Sequence, residues 1–434
     1  MGERKEIKGM WWLFNIPEKQ IPGKLIICND EITLETIGCF DENDPIIHLA
    51  TQQNPHYDVI CGISSDAKQI SLFNSYESMS FNTACPFPLA KYNIQIVAVG
   101  KHFKSLEELG NYDIKAYFNE LPHWFRPNCI HFDGREENKY NYIVDLNNAH
   151  LVAVPLNDKC TLKLKGEVNI SHNDTGMRIE IEQISTLNFE HSVPISIRDA
   201  LHQVFIFEQF LSFATLSSVY TKRLLLIDNE KKTDPTKNFT IEIYDKKGNA
   251  LSKPNHFGKY LFVYETVKDT FPSIIQKWYA EKDLSPIRAH LIDSVRQKGP
   301  FCSTDFLTTA QGVEGFYCRF RKDGLSLSEI IKNLKKEFID IKILELSDTD
   351  IKCICDSRNH YSHLLPPGKK THVVDGLELY YLNHKLRKFL LCCILKFVGF
   401  NNDEINVIFN KSNSSILKMR QCPKYCVNEK IGFR

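Results

Sequence analysis

The sequence changes its periodicity near Pro194, and that change limits the fold more than any other feature. Before it, short runs of β-branched residues recur over residues 23–189, as in 24–28, 94–99 and 178–181. Several are bounded by Gly, Pro, Asn or Asp. Branched side chains suit a pleated surface and the breakers end it, so this part reads as antiparallel sheet. Trp11 and Trp12 stand ahead of the first expected strand and are assigned to cover one end of its core. After Pro194 the apolar spacing turns helical over 195–217, with Leu201, Phe205, Leu211 and Thr215 in register. Strands are expected at 223–227 and 239–244. Helices are then expected at 260–280, 285–297, 302–321, 326–338, 348–363, 374–398 and 403–409. Pro272 should kink or split the first of these, because it lacks an N–H and crowds the preceding turn.

The fold class is therefore α+β and multidomain: a β-rich N-terminal domain, then an all-α bundle. The expected boundaries are 1–190 for the β-rich domain, 191–256 for a connecting helix and strands, 257–410 for the bundle, and 411–434 for a basic C-terminal segment.

Composition narrows the function classes. A net charge of +1 excludes a protein coated in positive charge, so any contact with nucleic acid must come from a local patch. The apolar run 389–400 is too short to span a bilayer and carries Lys396. The opening residues do not read as a signal peptide, so a cytoplasmic location without a membrane is expected. Of the 14 cysteines, some sit inside apolar runs, as Cys392 and Cys393 do, which reads as reduced thiols in a core. Cys422 and Cys426 form a lone C-x3-C pair without a matching second pair, so no metal site and no cofactor is assigned.

Chemistry concentrates at Asp356-Ser357-Arg358-Asn359-His360-Tyr361-Ser362-His363, at the end of an expected helix and ahead of Pro366-Pro367-Gly368. A guanidinium holds phosphate and supplies fixed positive charge. An imidazole exchanges a proton near neutral pH. Residues five apart on a helix stand about 140° apart, so Arg358 and His363 do not share a face, whereas Asn359 and His363, four apart, do. Surface capping and ordinary ion pairs would account for the same residues, and the R-x4-H spacing alone is common.

The stretch Arg358 to His363 resembles the R-x4-6-H signature of HEPN domains. Residues 257–409 resemble the ApeA-like branch of that superfamily, through the helix bearing Glu314, the motif helix and the long apolar helix 374–398. Trp11-Trp12, Gly23-Lys24-Leu25 and Gly100-Lys101-His102-Phe103 resemble the β-rich domain that accompanies ApeA-type HEPN domains. The resemblance implies a helical bundle that dimerises, or forms a higher homo-oligomer, and cleaves RNA without a metal. It also implies bacterial anti-phage defence by abortive infection, with a toxic ribonuclease released by a phage-derived trigger. Arg358, Asn359 and His363 carry over as the catalytic motif, with His360 as a weaker, intervening position.

Glu314 is expected to position Arg358 through a charge-assisted hydrogen bond. Lys369, Lys370, Lys385 and Lys388 are candidate contacts to RNA phosphate, the RNA being of any class, tRNA included. Phe316, Tyr317 and Tyr361 are weighed as base-stacking rings, with the core preferred for Phe316. The β-rich domain shows no nucleophile, metal cluster or phosphate loop, so sensing is its expected role. The competing reading is a non-catalytic scaffold that binds nucleic acid or a partner and carries a ligand-sensing β domain.

Overall fold

The computed structural model describes residues 4–28, 31–40, 55–78, 89–136, 139–145, 151–172, 179–230, 240–246, 260–296, 303–342, 344–364 and 372–412. The chain divides into a β unit, residues 1–208 and 219–251, and a helical unit, residues 209–218 and 252–434. The stretch 191–256, expected as a connection, is shared between them.

The β unit begins with β1 (Lys5–Leu13), β2 (Ile21–Ile27), β3 (Ile32–Ile37), β4 (His56–Ser64), β5 (Gln69–Ser78) and β6 (Leu89–Asn93). Antiparallel pairing runs β4–β1–β2–β3–β6, then β6 returns to β5 and β5 to β4, which closes a six-stranded ring. Closure pairs most of the ring's edges, apart from the first residues of β1, and leaves an interior wide enough only for side chains. Trp11, Leu25, Leu34, Ile60, Leu72 and Tyr92 fill it.

The two tryptophans lie within β1 itself and do not precede it, and Trp11 is fully buried among these residues. Glycine makes the room. A Cβ on Gly62 would meet the Trp11 ring at 2.2 Å, and one on Gly23 would meet it at 3.0 Å. Gly23-Lys24-Leu25 is thus part of the wall around Trp11.

At β5 the ring branches. Ile70 to Phe73 pair with β7 (Ile96–Val99), whereas Tyr76 to Ser78 pair with β6. Asn74, between the two halves, takes φ +51°, a left-handed conformation that asparagine tolerates better than most residues. Beyond β7 the sheet continues antiparallel through β15 (Thr240–Asp245), β14 (Thr221–Asp228), β8 (Tyr112–Phe118), β13 (Ile179–His191), β12 (Cys160–His172) and β11 (Leu151–Asn157). A separate hairpin joins β9 (Ile130–Glu136) to β10 (Lys139–Val144). Helix α1 (Leu121–Phe125) buries Trp124. The first part of α2 (Ile197–Thr215) sets Phe207 against Phe118 at 5.5 Å.

In the helical unit, Phe213 of α2 stacks on Trp278 at 5.4 Å and 18°. The expected helix 260–280 is two helices, α3 (Tyr264–Val267) and α4 (Phe271–Ala280), with Pro272 in the first turn of α4, where its missing N–H costs nothing. Then come α5 (Ser285–Arg296), α6 (Ser303–Phe320), α7 (Leu327–Glu337), α8 (Asp348–His363), α9 (Gly376–Val398) and α10 (Asn402–Lys411). Serine starts both α7 and α8 in reciprocal capping boxes, Ser326 with Glu329 and Ser347 with Asp350.

Helix α9 is the core of this unit and buries Leu386, Phe389, Leu390 and Leu391 completely or nearly so. It comes so close to α6 that a Cβ on Gly312 would meet Leu390 at 2.8 Å. A buried polar network also ties these helices. Asp305 of α6 accepts from Asn383 at 2.7 Å and Arg387 at 2.5 Å on α9, and Arg387 Nε donates to Ser294 of α5 at 2.8 Å. Among the described residues, no helix is long and apolar enough to cross a membrane.

Candidate active site

The site builds from α8. Ser347 begins the helix and Leu364 ends it with φ +50°, so Arg358 lies inside the last two turns and His363 is the last helical residue. His360 and His363 both occupy the final turn, where unpaired carbonyls give the helix end its negative character. His363 is exposed.

Arg358 Nη2 donates to Glu314 Oε2 on α6 at 3.0 Å, and Nη1 donates to Asn359 Oδ1 at 3.2 Å. The Arg358 and Glu314 side chains keep 30% and 21% of their surface in solvent, so the pair is half-open and not sealed. A carboxylate and an amide thus fix the guanidinium while leaving donors for an anion, as an arginine with five N–H groups allows.

Residues 372–374, just after α8, are fastened back to it. Tyr361 Oη donates to the Val374 carbonyl at 3.0 Å, and Val374 N–H donates to Ser357 Oγ at 3.1 Å. His372 Nδ1 lies 3.5 Å from Asp356 Oδ2. Burial pushes the Tyr361 phenol up, with nearby Asp375 adding to it, so the hydroxyl keeps its proton and stays a donor. Ser357 and Asp356 lie in the motif stretch, but the sequence assigns neither a role. Ser357 is fully buried, and its partner 17 positions on leaves no local signal.

The other expected residues are placed as follows. His360 is half-buried, with its ring 5.0 Å from Tyr361 and edge-on at 74°. Lys385 is ion-paired with Asp350 at 2.8 Å. Lys388 is half-buried, and that burial holds its ammonium below the usual lysine range, with Glu345 opposing the shift and Lys385 adding to it. Lys369 and Lys370, like Cys422 and Cys426, lie outside the described residues. Phe316 is in the core, as expected. Tyr317 is also buried, and its hydroxyl accepts from Asn333 at 3.1 Å.

Two thiols share α8. Burial, with Asp356 and Glu314 adding to it, pushes Cys355 up to about 11, and burial likewise raises Cys353. Both stay protonated at neutral pH, which makes them poor nucleophiles. Among the described residues, no group of three or more His, Cys, Asp or Glu is placed to hold a metal.

The arrangement is a helix end carrying a positioned guanidinium, an amide and an exposed imidazole, in a chain that joins a branched β-barrel to a helical bundle. Residues 6–278 match the family ApeA N-terminal domain 1, and residues 307–404 match Apea-like HEPN. The chain therefore belongs to the ApeA-like HEPN proteins. None of the curated proteins and none of the solved structures matches it. HEPN families are generally associated with ribonucleases, typically dimerise and bind RNA, and their ApeA type suggests a nuclease-like role in anti-phage defence.

Proposed function

We propose that the protein is a metal-independent endoribonuclease that acts in anti-phage defence by abortive infection. The observation that carries this reading is the half-open Arg358, held by Glu314 at 3.0 Å on the same helix end as the exposed His363. In the proposed reaction, the ribose 2′-oxygen attacks the adjacent phosphorus and loses its proton to a base. The bond from phosphorus to the 5′-oxygen breaks, and that oxygen takes up a proton from an acid. Arg358 binds the non-bridging oxygens and stabilises the charge that builds on them. Asn359, four residues before His363 and hydrogen-bonded to Arg358, orients the pair.

One helix separates Arg358 from His363 by about 140° of rotation, and one imidazole does not serve both sides of phosphorus at once. The composite site is therefore assigned to a homodimer, in which a two-fold axis brings two copies of α8 together and supplies a second histidine. Lys369, Lys370 and Lys385 are the cations proposed to meet the RNA backbone, in the cytoplasm, once a phage-derived trigger has acted on the β unit.

The decisive test is RNA cleavage and growth arrest by Arg358→Ala, His363→Ala and the double variant. Loss of both readouts in folded protein, with cleavage by the wild type unaffected by EDTA, supports the proposal. Full cleavage by a folded double variant overturns the assignment to Arg358 and His363, and absence of cleavage by folded wild type leaves the scaffold reading.

A further inference from the structure

A crevice of about 540 Å³ opens in the β unit, remote in sequence from the motif helix. It exists because β1 is only half paired on one side. Lys5 to Lys8 pair with Ile27 to Lys24 of β2, but β4 stops at Ser64, opposite Gly9, and the chain turns away through Ser65 to Lys68. Arg223 and Leu225 of β14 and Thr240 and Glu242 of β15 line the gap as well. Its apolar floor is Ile7, Ile70, Val99 and Leu225, of which only Ile7 is more than slightly exposed. A volume of this size lies in the range of sites for small organic ligands.

The charges around it are unevenly matched. Glu242 receives two cations, Arg223 Nε at 2.9 Å and Lys5 Nζ at 3.5 Å. Burial opposes ionisation of Glu242, yet Tyr244, Lys5 and Arg223 together hold its carboxyl below the usual range, so it is an anion at neutral pH. Asp66 is met by Lys68 at 2.6 Å, and Glu6 by Arg4 at 2.7 Å. Lys8 is exposed and has no ion pair among the described residues. Two cations on one carboxylate, plus Lys8, leave about two positive charges unmatched.

The backbone adds a second kind of recognition. The Lys8 carbonyl accepts from Ser65 N–H at 2.9 Å, so this side of β1 turns towards the gap. Strand geometry repeats every second residue, so the N–H and C=O of Glu6 point the same way, past the end of β4. A donor and an acceptor so placed suit the edge of a planar heterocycle.

We propose that this crevice binds a nucleoside monophosphate. The phosphate dianion meets the spare charge of Lys5 and Arg223, with Lys8 at the rim on the other face of β1, the base lies against Ile7, and its edge pairs with the Glu6 backbone. Nothing in this assignment depends on the ribonuclease reading, because the crevice and α8 share no residue.

The test is calorimetric titration of the full chain with AMP, GMP, CMP and UMP, with adenosine and inorganic phosphate as separate arms. At least one nucleotide is expected to bind, and at least tenfold more tightly than inorganic phosphate and, for AMP, than adenosine. Lys8→Glu is expected to weaken that binding by tenfold or more, and Lys8→Gln by less. Arg358→Ala is expected to bind as the wild type does. The proposal falls if none of the four binds to folded wild type, or if inorganic phosphate binds as well as the nucleotides. It also falls if Lys8→Glu and Lys8→Gln leave affinity unchanged, or if Arg358→Ala abolishes binding, which would move the nucleotide to α8. RNA cleavage is measured apart from binding, so failure here leaves the ribonuclease proposal intact.

Discussion

Two of the arginine–carboxylate pairs in the helical unit contrast a structural role with a chemical one. Arg387 and Asp305 meet at 2.5 Å with side chains only 6% and 12% exposed, and Ser294 and Asn383 take up further hydrogen-bonding capacity. Arg358 and Glu314 meet at 3.0 Å and keep 30% and 21% of their side chains in solvent. The chemistry of the partners is the same. Burial decides what the guanidinium is free to do: a sealed one ties α5, α6 and α9 together, whereas a half-open one still has donors to offer an incoming phosphate.

Substitution at each arginine tests this contrast directly. Arg358→Ala is expected to reduce RNA cleavage by about 100-fold or more, as loss of a transition-state cation does. Its effect on unfolding free energy is expected to stay within about 1 kcal/mol, because the pair is partly solvated. Arg387→Ala should reverse the pattern. It strands Asp305 as a buried charge, a change that costs about 3–5 kcal/mol, read by urea unfolding. If both variants lose stability equally, the distinction between sealed and open pairs does not hold.

Glu314 sharpens the comparison at smaller scale. Glu314→Gln keeps an oxygen for Arg358 Nη2 but removes the charge that steadies it. Charge-assisted bonds are roughly twice as strong as neutral ones, so a drop in kcat of about tenfold is expected, equivalent to about 1.4 kcal/mol. The KM for RNA should move less than kcat, because Glu314 acts through Arg358. A variant that cleaves normally would assign Glu314 to packing alone.

Much of this unit could be read along the chain, because its signals are local. Pro272 marks a helix start, and the Ser326-x-x-Glu329 and Ser347-x-x-Asp350 spacings are capping signatures. The motif residues and Glu314 were legible through their resemblance to a family, while the bond between Arg358 and Glu314 spans 44 positions. In the β unit the individual strands were visible but not their partners. One strand, β5, gives its first half to β7 and its second half to β6, and only Asn74 marks the change. Trp11 was misplaced at the end of the core because the space for it comes from Gly62, 51 positions away. Pairings of this kind depend on distant residues that no periodicity records.

The smallest expected effect lies at the other end of α8, where a third ion pair is as open to solvent as that of Arg358 and Glu314. Asp350 accepts from Lys385 at 2.8 Å and closes the capping box on Ser347, with side chains 20% and 36% exposed for Asp350 and Lys385. Burial resists its ionisation, but the bonds from Lys385 and Ser347 outweigh that and hold its carboxyl below the ordinary value of 3.8. A carboxyl depressed in the folded state stabilises the fold at every pH above its unfolded value, and the benefit disappears as pH falls through the folded value. Asp350→Asn should therefore cost about 1 kcal/mol at pH 7, the scale of one cap and one helix-end charge. The gap between variant and wild type should stay constant down to about pH 5 and close below the ordinary carboxyl range. Urea unfolding at several pH values reads it. A gap that widens on acidification would mean that Asp350 is held protonated in the fold, and its pairing with Lys385 as an anion would fail.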